Sequence, residues 1–313
     1  MLKEVVKQLW FFLVVPGFIF TAAIGLFSNW IDRKVTARLQ YRVGPPWYQP
    51  LADVLKLMGK QIFVPAGGSK MVFLSAPLFG LAAATLVSTT LWLINIDRAS
   101  GFIGDLIVVI YLLLIPSLAL IIGGSASRSP IAALGSSREI KLILAYELPF
   151  ILAVLTVVAK SGSLLLGNII SYQSTHGIMI ASYSGLVAFI VTLLVIQAKL
   201  GFVPFDIAEA EQEIMAGPLL EYSGAPLAVF KITKAMLFFI LPVFMITLFL
   251  GGIDIASAAG IMWFIVKYVI LLVLVILIKN TNPRLRIDQA VRFFWGPVTA
   301  LALIGFVLAM IGW

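Results

Sequence analysis

The sequence predicts an all-α fold that crosses a membrane many times, and three observations carry that prediction. Hydrophobic residues fill 61% of the 313 positions and charged residues only 12%, about half the charge fraction that a water-facing surface needs. The mean hydropathy is +1.09. Apolar windows of roughly 20 residues, the length that crosses a bilayer core, recur along the whole chain rather than gathering at one end. Residues 1–313 therefore read as a single integral membrane domain, with no soluble module attached.

Eight windows qualify: 9–31, 71–94, 102–122, 140–158, 177–198, 227–250, 261–278 and 293–312. The first is too long for the core of a cleavable signal, and no small-residue cleavage site follows it. Eight crossings put both termini on one side. Lysine and arginine concentrate in the first, third and seventh connections, with Lys231 and Lys234 just beyond the fifth. The positive-inside rule then places the odd connections in the cytoplasm and both termini outside, in a multi-pass protein of the cell membrane. The same topology accounts for the net charge of +8; without a basic run or interleaved aromatics, the charge does not point to nucleic acid.

The first connection, 32–70, is the longest. Within it, residues 49–60 predict a short amphipathic helix with Leu51, Val54, Leu55 and Met58 on one face, either an interfacial anchor or a docking element for a partner. The third connection leads into Arg138, Glu139, Lys141, Tyr146 and Glu147 at the start of the fourth window. Glu139 and Tyr146 are seven residues apart and share a helix face, with Glu147 beside Tyr146. Glu139 either pairs with Arg138 or Lys141 or works as a proton-exchanging group. Glu147 lies about two turns deeper, where a charge costs about 2.5 to 3.5 kcal/mol, so it should face protein or water rather than lipid. Pro149 removes a backbone donor there and can kink the helix.

The fifth connection is the densest acidic segment. Asp206, Glu209, Glu211, Glu213 and Glu221 are five of the chain's 14 acids, and Phe202-Val203-Pro204-Phe205 and Gly217-Pro218-Leu219-Leu220 make their setting apolar. If 206–213 is helical, Asp206, Glu209 and Glu213 share one stripe and Glu211 points away. Carboxylates about 4 Å apart at an effective dielectric near 20 repel by roughly 4 kcal/mol, enough for one to keep a proton near neutral pH and release it when a nearby charge changes. That is what a proton relay requires. The alternative is a solvated loop whose acids satisfy neighbouring bases. Lys231 and Lys234 either snorkel at the interface or partner Glu213 or Glu221; Lys267 lies inside the seventh window.

With no cysteine, the chain can build no disulfide, thiolate zinc site or iron-sulfur cluster, and its single histidine, His176, lies in a polar connection unsuited to a metal site. No phosphate-cradling glycine motif occurs. Cofactors are expected to be absent from this chain, and any redox centre must belong to a partner.

These residues resemble a known family. Gln40-Tyr41-Arg42-Val43-Gly44-Pro45 with Gln49-Pro50-Leu51-Ala52-Asp53, Ser75-Ala76-Pro77, Tyr146-Glu147-Leu148-Pro149, Phe202-Val203-Pro204-Phe205-Asp206 through Glu209-Ala210-Glu211, and Glu221-Tyr222-Ser223 are similar, in order and spacing, to blocks of the membrane subunit 1 of respiratory complex I. The resemblance implies a non-catalytic membrane subunit that joins a peripheral redox arm to the membrane arm. It also implies that Arg42, Gly44, Pro45, Gln49 and Asp53 dock that arm. Glu139, Glu147, Asp206, Glu209, Glu211, Glu213 and Glu221 would relay protons or charge, with Arg138, Lys141, Lys231 and Lys234 as charge partners.

Pro46-Trp47-Tyr48 leads directly to Gln49-Pro50 where complex I members carry a second Asn-Arg-x-Gly element. Ser136-Ser137-Arg138-Glu139 and Glu209-Ala210-Glu211-Gln212-Glu213-Ile214 are closer to the membrane-bound group 4 nickel-iron hydrogenase branch. That branch implies electrons from ferredoxin or formate to protons, coupled to proton or sodium pumping. Its partners are hydrogenase-like large and small subunits, an iron-sulfur subunit and antiporter-like membrane subunits, which hold the nickel-iron centre and iron-sulfur clusters. Alternatives are a quinone-binding subunit of NADH-quinone oxidoreductase, a sulfur-reducing or methanophenazine-linked relative and, from another class, a free-standing secondary transporter; the internal repeat expected of a transporter is not evident.

Overall fold

Helices make up the regular structure, and no strand occurs among the described residues. The computed structural model describes residues 2–255 and 257–312. The first apolar window is broken at Pro16: α1 (Leu2–Leu13) ends there and α2 (Phe18–Leu39) begins after a cis Val15-Pro16 bond. The first connection carries α3 (Gln49–Met58), started by Pro50 at a position where a missing N–H costs nothing. Val54 of α3 is buried, whereas Leu51, Leu55 and Met58 are exposed.

Five more elements lead to the acidic connection: α4 (Lys70–Ile96), α5 (Asp105–Leu112), α6 (Ile115–Ala126), α7 (Pro130–Ser161) and α8 (Leu166–His176). At 32 residues α7 is the longest helix, and it continues through Pro149. After α9 (Tyr183–Lys199) come the four-residue α10 (Glu211–Ile214), α11 (Ala225–Phe249), α12 (Ala258–Thr281) and α13 (Ile287–Phe293). A π-helical segment around Pro297 (Phe294–Val298) joins α13 to α14 (Thr299–Ile311).

Seven helical segments are long and apolar enough to cross a bilayer. The expected eighth differs: window 177–198 splits into a 3-10 turn and α9, whose 17 residues fall short of the others. Ser182 causes the split by capping α9, its hydroxyl accepting from the Gly185 N–H at 3.2 Å.

The bundle is organised around α11, most of whose side chains are buried and which packs on α2 and α4. A second group, α6, α7, α9 and α14, packs around α7. In lipid, packing and polar contacts between helices replace the hydrophobic drive as the cause of association. Asn95 accordingly donates to Thr247 at 3.0 Å, and Gln173 donates to the Thr247 and Leu248 carbonyls, both at 3.1 Å. The acidic connection lies between the two helix groups.

Candidate functional site

The chain between α9 and α11 is irregular, not helical, because its backbone is tied to its surroundings rather than to itself. Gln197 of α9 donates to the Val203 carbonyl at 2.8 Å, the Leu285 N–H donates to the Pro204 carbonyl at 3.0 Å, and Phe205 is buried against Phe293 and Phe294. α-Helix forms only at Glu211–Ile214, with a 3-10 turn at Gly217–Leu219, so the expected stripe of Asp206, Glu209 and Glu213 does not form. Each acid turns to its own cation instead. Asp206 meets Arg284 at 2.8 Å, Glu209 meets Lys234 at 2.5 Å, and Glu213 meets Arg138 at 2.6 Å.

These pairs bear on alternatives left open above. Lys234 answers Glu209, not Glu213 or Glu221, and Arg138 answers Glu213, so neither Arg138 nor Lys141 forms an ion pair with Glu139 among the described residues. One helical stripe cannot face cations on three different elements at once; an irregular loop does so freely. Met215 and Ala216 take left-handed backbone conformations, unusual for non-glycine residues. They steer Pro218 into a notch formed by Gly124 on α6 and Gly135 on α7. A Cβ at Gly124 would lie 2.8 Å from Pro218 Cβ, and one at Gly135 only 2.5 Å from Pro218 Cδ, so the close approach requires glycine at both. Tyr222 closes the loop, stacked on Phe73 at 4.0 Å and donating to the Phe73 carbonyl at 2.8 Å, and burial pushes its phenol up.

Two cavities flank Glu209 and Lys234. The inner one, of about 80 Å³, is lined by Ser117, Glu139, Lys199, Asp206, Glu209 and Lys234 among others. Glu139 is buried and shares the wall of this cavity with Ser117. Behind it, buried Lys199 meets Glu147 at 3.0 Å, with its ammonium 4.8 Å from the Tyr146 ring centre and 4.5 Å from that of Phe150. A buried cation needs such company, since desolvation alone costs several kcal/mol.

The outer cavity, of about 730 Å³, is lined by Asp32, Arg33, Asp53, Glu211, Lys231 and Lys279 as well as Glu209 and Lys234. Asp32 pairs with Lys279 at 2.6 Å and Asp53 with Arg33 at 2.7 Å. Phe202 stands between two ammonium groups, 4.7 Å from Lys279 and 5.7 Å from Lys234.

Electrostatics differ between the two ends. Burial pushes the Asp206 carboxyl above its ordinary range in spite of Arg284 and Lys234, and the Glu209 charge adds to the rise. Burial also pushes on Asp53, but hydrogen bonds from Arg33 and Gln49 outweigh it and hold that carboxyl low. Among the other expected residues, Glu211 is exposed at the outer cavity, Glu221 is half-buried, and Lys231 lines both cavities. Lys141 is exposed on α7, away from both cavities. Arg42 is exposed, Gly44 and Pro45 are half-buried, the Pro45 carbonyl accepts from Trp30 at 3.2 Å, and Gln49 holds Asp53 at 2.9 Å. Lys267 donates to the Leu250 carbonyl at 2.6 Å, and His176 stacks on Tyr172 at 4.3 Å. No cluster of three or more His, Cys, Asp or Glu suited to a metal ion occurs among the described residues.

Asp32, Lys199, Lys279 and Arg284 complete the arrangement and were not anticipated. Each pairs with a residue 52 to 247 positions away, beyond any helical spacing. The one local signal is at Lys199, which is followed by Leu200-Gly201-Phe202-Val203-Pro204-Phe205, too apolar a stretch for a cation left in water. Chemically, the site is a succession of carboxylates and cations held close enough that moving one charge alters the proton affinity of the next.

A family profile described as NADH dehydrogenase matches residues 11–310. A membrane subunit of the NADH-quinone oxidoreductase of Thermomicrobium roseum is 33% identical over 304 residues, covering 90% of this chain and 89% of its own length. Subunit 8 of the Thermus thermophilus NADH-quinone oxidoreductase is also 33% identical, over 95% of this chain and 84% of its own. A chain of the membrane-bound sulfane sulfur reductase, an archaeal respiratory membrane complex, superposes with a TM-score of 0.84 at 32% identity, covering 93% of this chain and 96% of that one.

Proposed function

Because the chain belongs to the NADH dehydrogenase family of membrane subunits, we propose that it is the membrane foot of a respiratory complex, where it docks a peripheral redox arm and converts electron transfer there into ion movement. One observation carries this: charged side chains follow one another from the outer cavity to the buried Lys199. Asp32 and Lys279 line the outer cavity, Glu209 and Lys234 line both, Glu139 and Lys199 line the inner one, and Glu147 lies behind Lys199. A unit charge appearing about 8 Å from Glu209 changes its energy by about 2 kcal/mol at an effective dielectric near 20. That is more than a tenfold change in proton affinity, so Glu209 can pass the change inward to Glu139 and Glu147. Asp206, Glu213, Glu211 and Glu221 tune or feed the same route from the loop, and Lys231 adds a positive field to both cavities.

The departures at 46–50 and the similarity to the sulfane sulfur reductase support the hydrogenase and sulfur-reducing branch. The hydrogenase form of that branch would hold nickel-iron and iron-sulfur centres in partner subunits and need no quinone. Within it we assign the hydrogenase form, in which electrons from ferredoxin or formate reduce protons. A quinone-binding role is favoured by a different observation, the outer cavity of about 730 Å³, which falls in the size range of small-molecule sites; inhibition by quinone analogues distinguishes it. In this assignment α9, about 26 Å long, serves as the eighth crossing with both termini outside, and α3 lies along the cytoplasmic surface near the docking residues Arg42, Gly44, Pro45, Gln49 and Asp53.

The test is Glu139→Gln in membrane vesicles carrying the whole complex. Electron transfer should persist and the complex should assemble, while ion pumping falls at least tenfold. Pumping at the wild-type ratio of ions to electrons would overturn the assignment.

A further inference from the structure

A groove of about 430 Å³ opens on the outside of the bundle between α7 and α13. It belongs to neither cavity of the charge route. Lys141 and Leu144 of α7, Asp288, Val291 and Arg292 of α13, and Trp295 of the π-helical segment line it. Lys141, Arg292 and Asp288 have no ion-pair partner among the described residues, so two cations face one acid and the groove carries a net positive charge.

Depth identifies the surroundings of those cations. Roughly 20 residues of α7 follow Lys141, and about as many residues of the last crossing follow Arg292, each close to the ~30 Å of a hydrocarbon core. Both cations therefore sit at the edge of the core, at the level of lipid headgroups. Trp295 is exposed at the same level, its indole N–H donating to the Leu144 carbonyl at 3.3 Å, in the kind of position that interfacial tryptophans occupy. From Lys141 the exposed side chains Leu144, Leu148, Ile151 and Leu155 follow in alternating steps of three and four residues. That spacing makes one apolar stripe running from the groove into the bilayer.

Positive charge at headgroup depth above an apolar stripe is complementary to a single kind of molecule, one with an anionic head and an acyl tail. We propose that this groove binds one anionic phospholipid, with Lys141 and Arg292 holding its phosphate, Trp295 packed beside its glycerol backbone, and an acyl chain lying along the α7 stripe. Asp288 opposes the phosphate and limits its affinity. The site is independent of the ion route, since none of its residues lines the inner or the outer cavity.

The experiment uses the intact complex, freed of lipid in mild detergent and titrated with phosphatidylglycerol or phosphatidylcholine while bound lipid is counted by native mass spectrometry. Wild type should hold one more phosphatidylglycerol than the Lys141→Gln/Arg292→Gln variant. Affinity should drop roughly fivefold for the loss of one cation and about 30-fold for both. Phosphatidylcholine should bind weakly and ignore these changes. Asp288→Asn should tighten phosphatidylglycerol binding, a gain that a merely structural role for the groove does not produce and a measurement that stands even if the double variant does not assemble. Equal retention of the two lipids, unchanged binding in the double variant, no gain in Asp288→Asn, or capture of a protein subunit instead of lipid by a photo-crosslinker placed at Leu144 would each overturn the proposal.

Discussion

Lys199 and Glu147 form an enclosed ion pair, and a double-mutant cycle on them tests both the fold and the charge route. Their side chains are 3% and 20% exposed, and the charged atoms are 3.0 Å apart. At that separation and an effective dielectric near 20, their attraction is about 5.5 kcal/mol. Removing one partner leaves an uncompensated charge away from water, for which about 3 to 5 kcal/mol is expected. Glu147→Gln strands the ammonium between Tyr146 and Phe150; Lys199→Met strands the carboxylate.

Removing both together should restore most of the loss, because methionine fills the space of the lysine stem and neither charge remains. The assay is the thermal denaturation of the purified complex, accompanied by ion pumping in vesicles. Single variants should melt early, the double variant near wild type, and the double variant should still fail to pump. Additive losses, or single losses below the ~1 kcal/mol of an exposed pair, would refute the idea that the pair is buried and coupled. A stable double variant that pumps normally would remove these two residues from the route.

Two further outcomes follow from the geometry. Asp53 is held below its ordinary value of 3.8 by Arg33 and Gln49, against burial, so its ionised form stabilises the fold above that value and the gain disappears as pH falls through the lower folded value. The melting temperature of the complex should therefore decline below about pH 4, and Arg33→Ala should flatten that acid limb in a pH series of melting curves. Gly135→Ala would place a Cβ 2.5 Å from Pro218 and should cost about 1 to 3 kcal/mol as overpacking does, seen as earlier melting and looser attachment of the 206–221 loop in hydrogen exchange.

Much of the membrane architecture is legible in the sequence because lipid imposes one dominant rule: satisfy the backbone internally over some 20 apolar residues. The deviations have local causes. Pro16 breaks the first window, and Ser182 starts α9 late enough to leave it at 17 residues. The acidic connection is different in kind. Its density of acids is visible at once, but periodicity suggests a helix, whereas Gln197, Leu285 and Phe205 bind the chain outward and leave a single α-helical turn at Glu211–Ile214. Partners such as Lys199 for Glu147 and Lys279 for Asp32 are set by how helices far apart in the chain come together, information that no neighbouring residue holds.

The seating of Pro218 between Gly124 and Gly135 gives the loop a mechanical as well as an electrical hold on the bundle. Gly135 precedes Glu139 by one helical turn on the same face of α7, so the peg presses on the very turn that carries that carboxyl. Under the proposed function, a neighbouring protein that displaced the loop would carry Pro218 with it and move the α7 turn that holds Glu139, a mechanical input beside the electrical one.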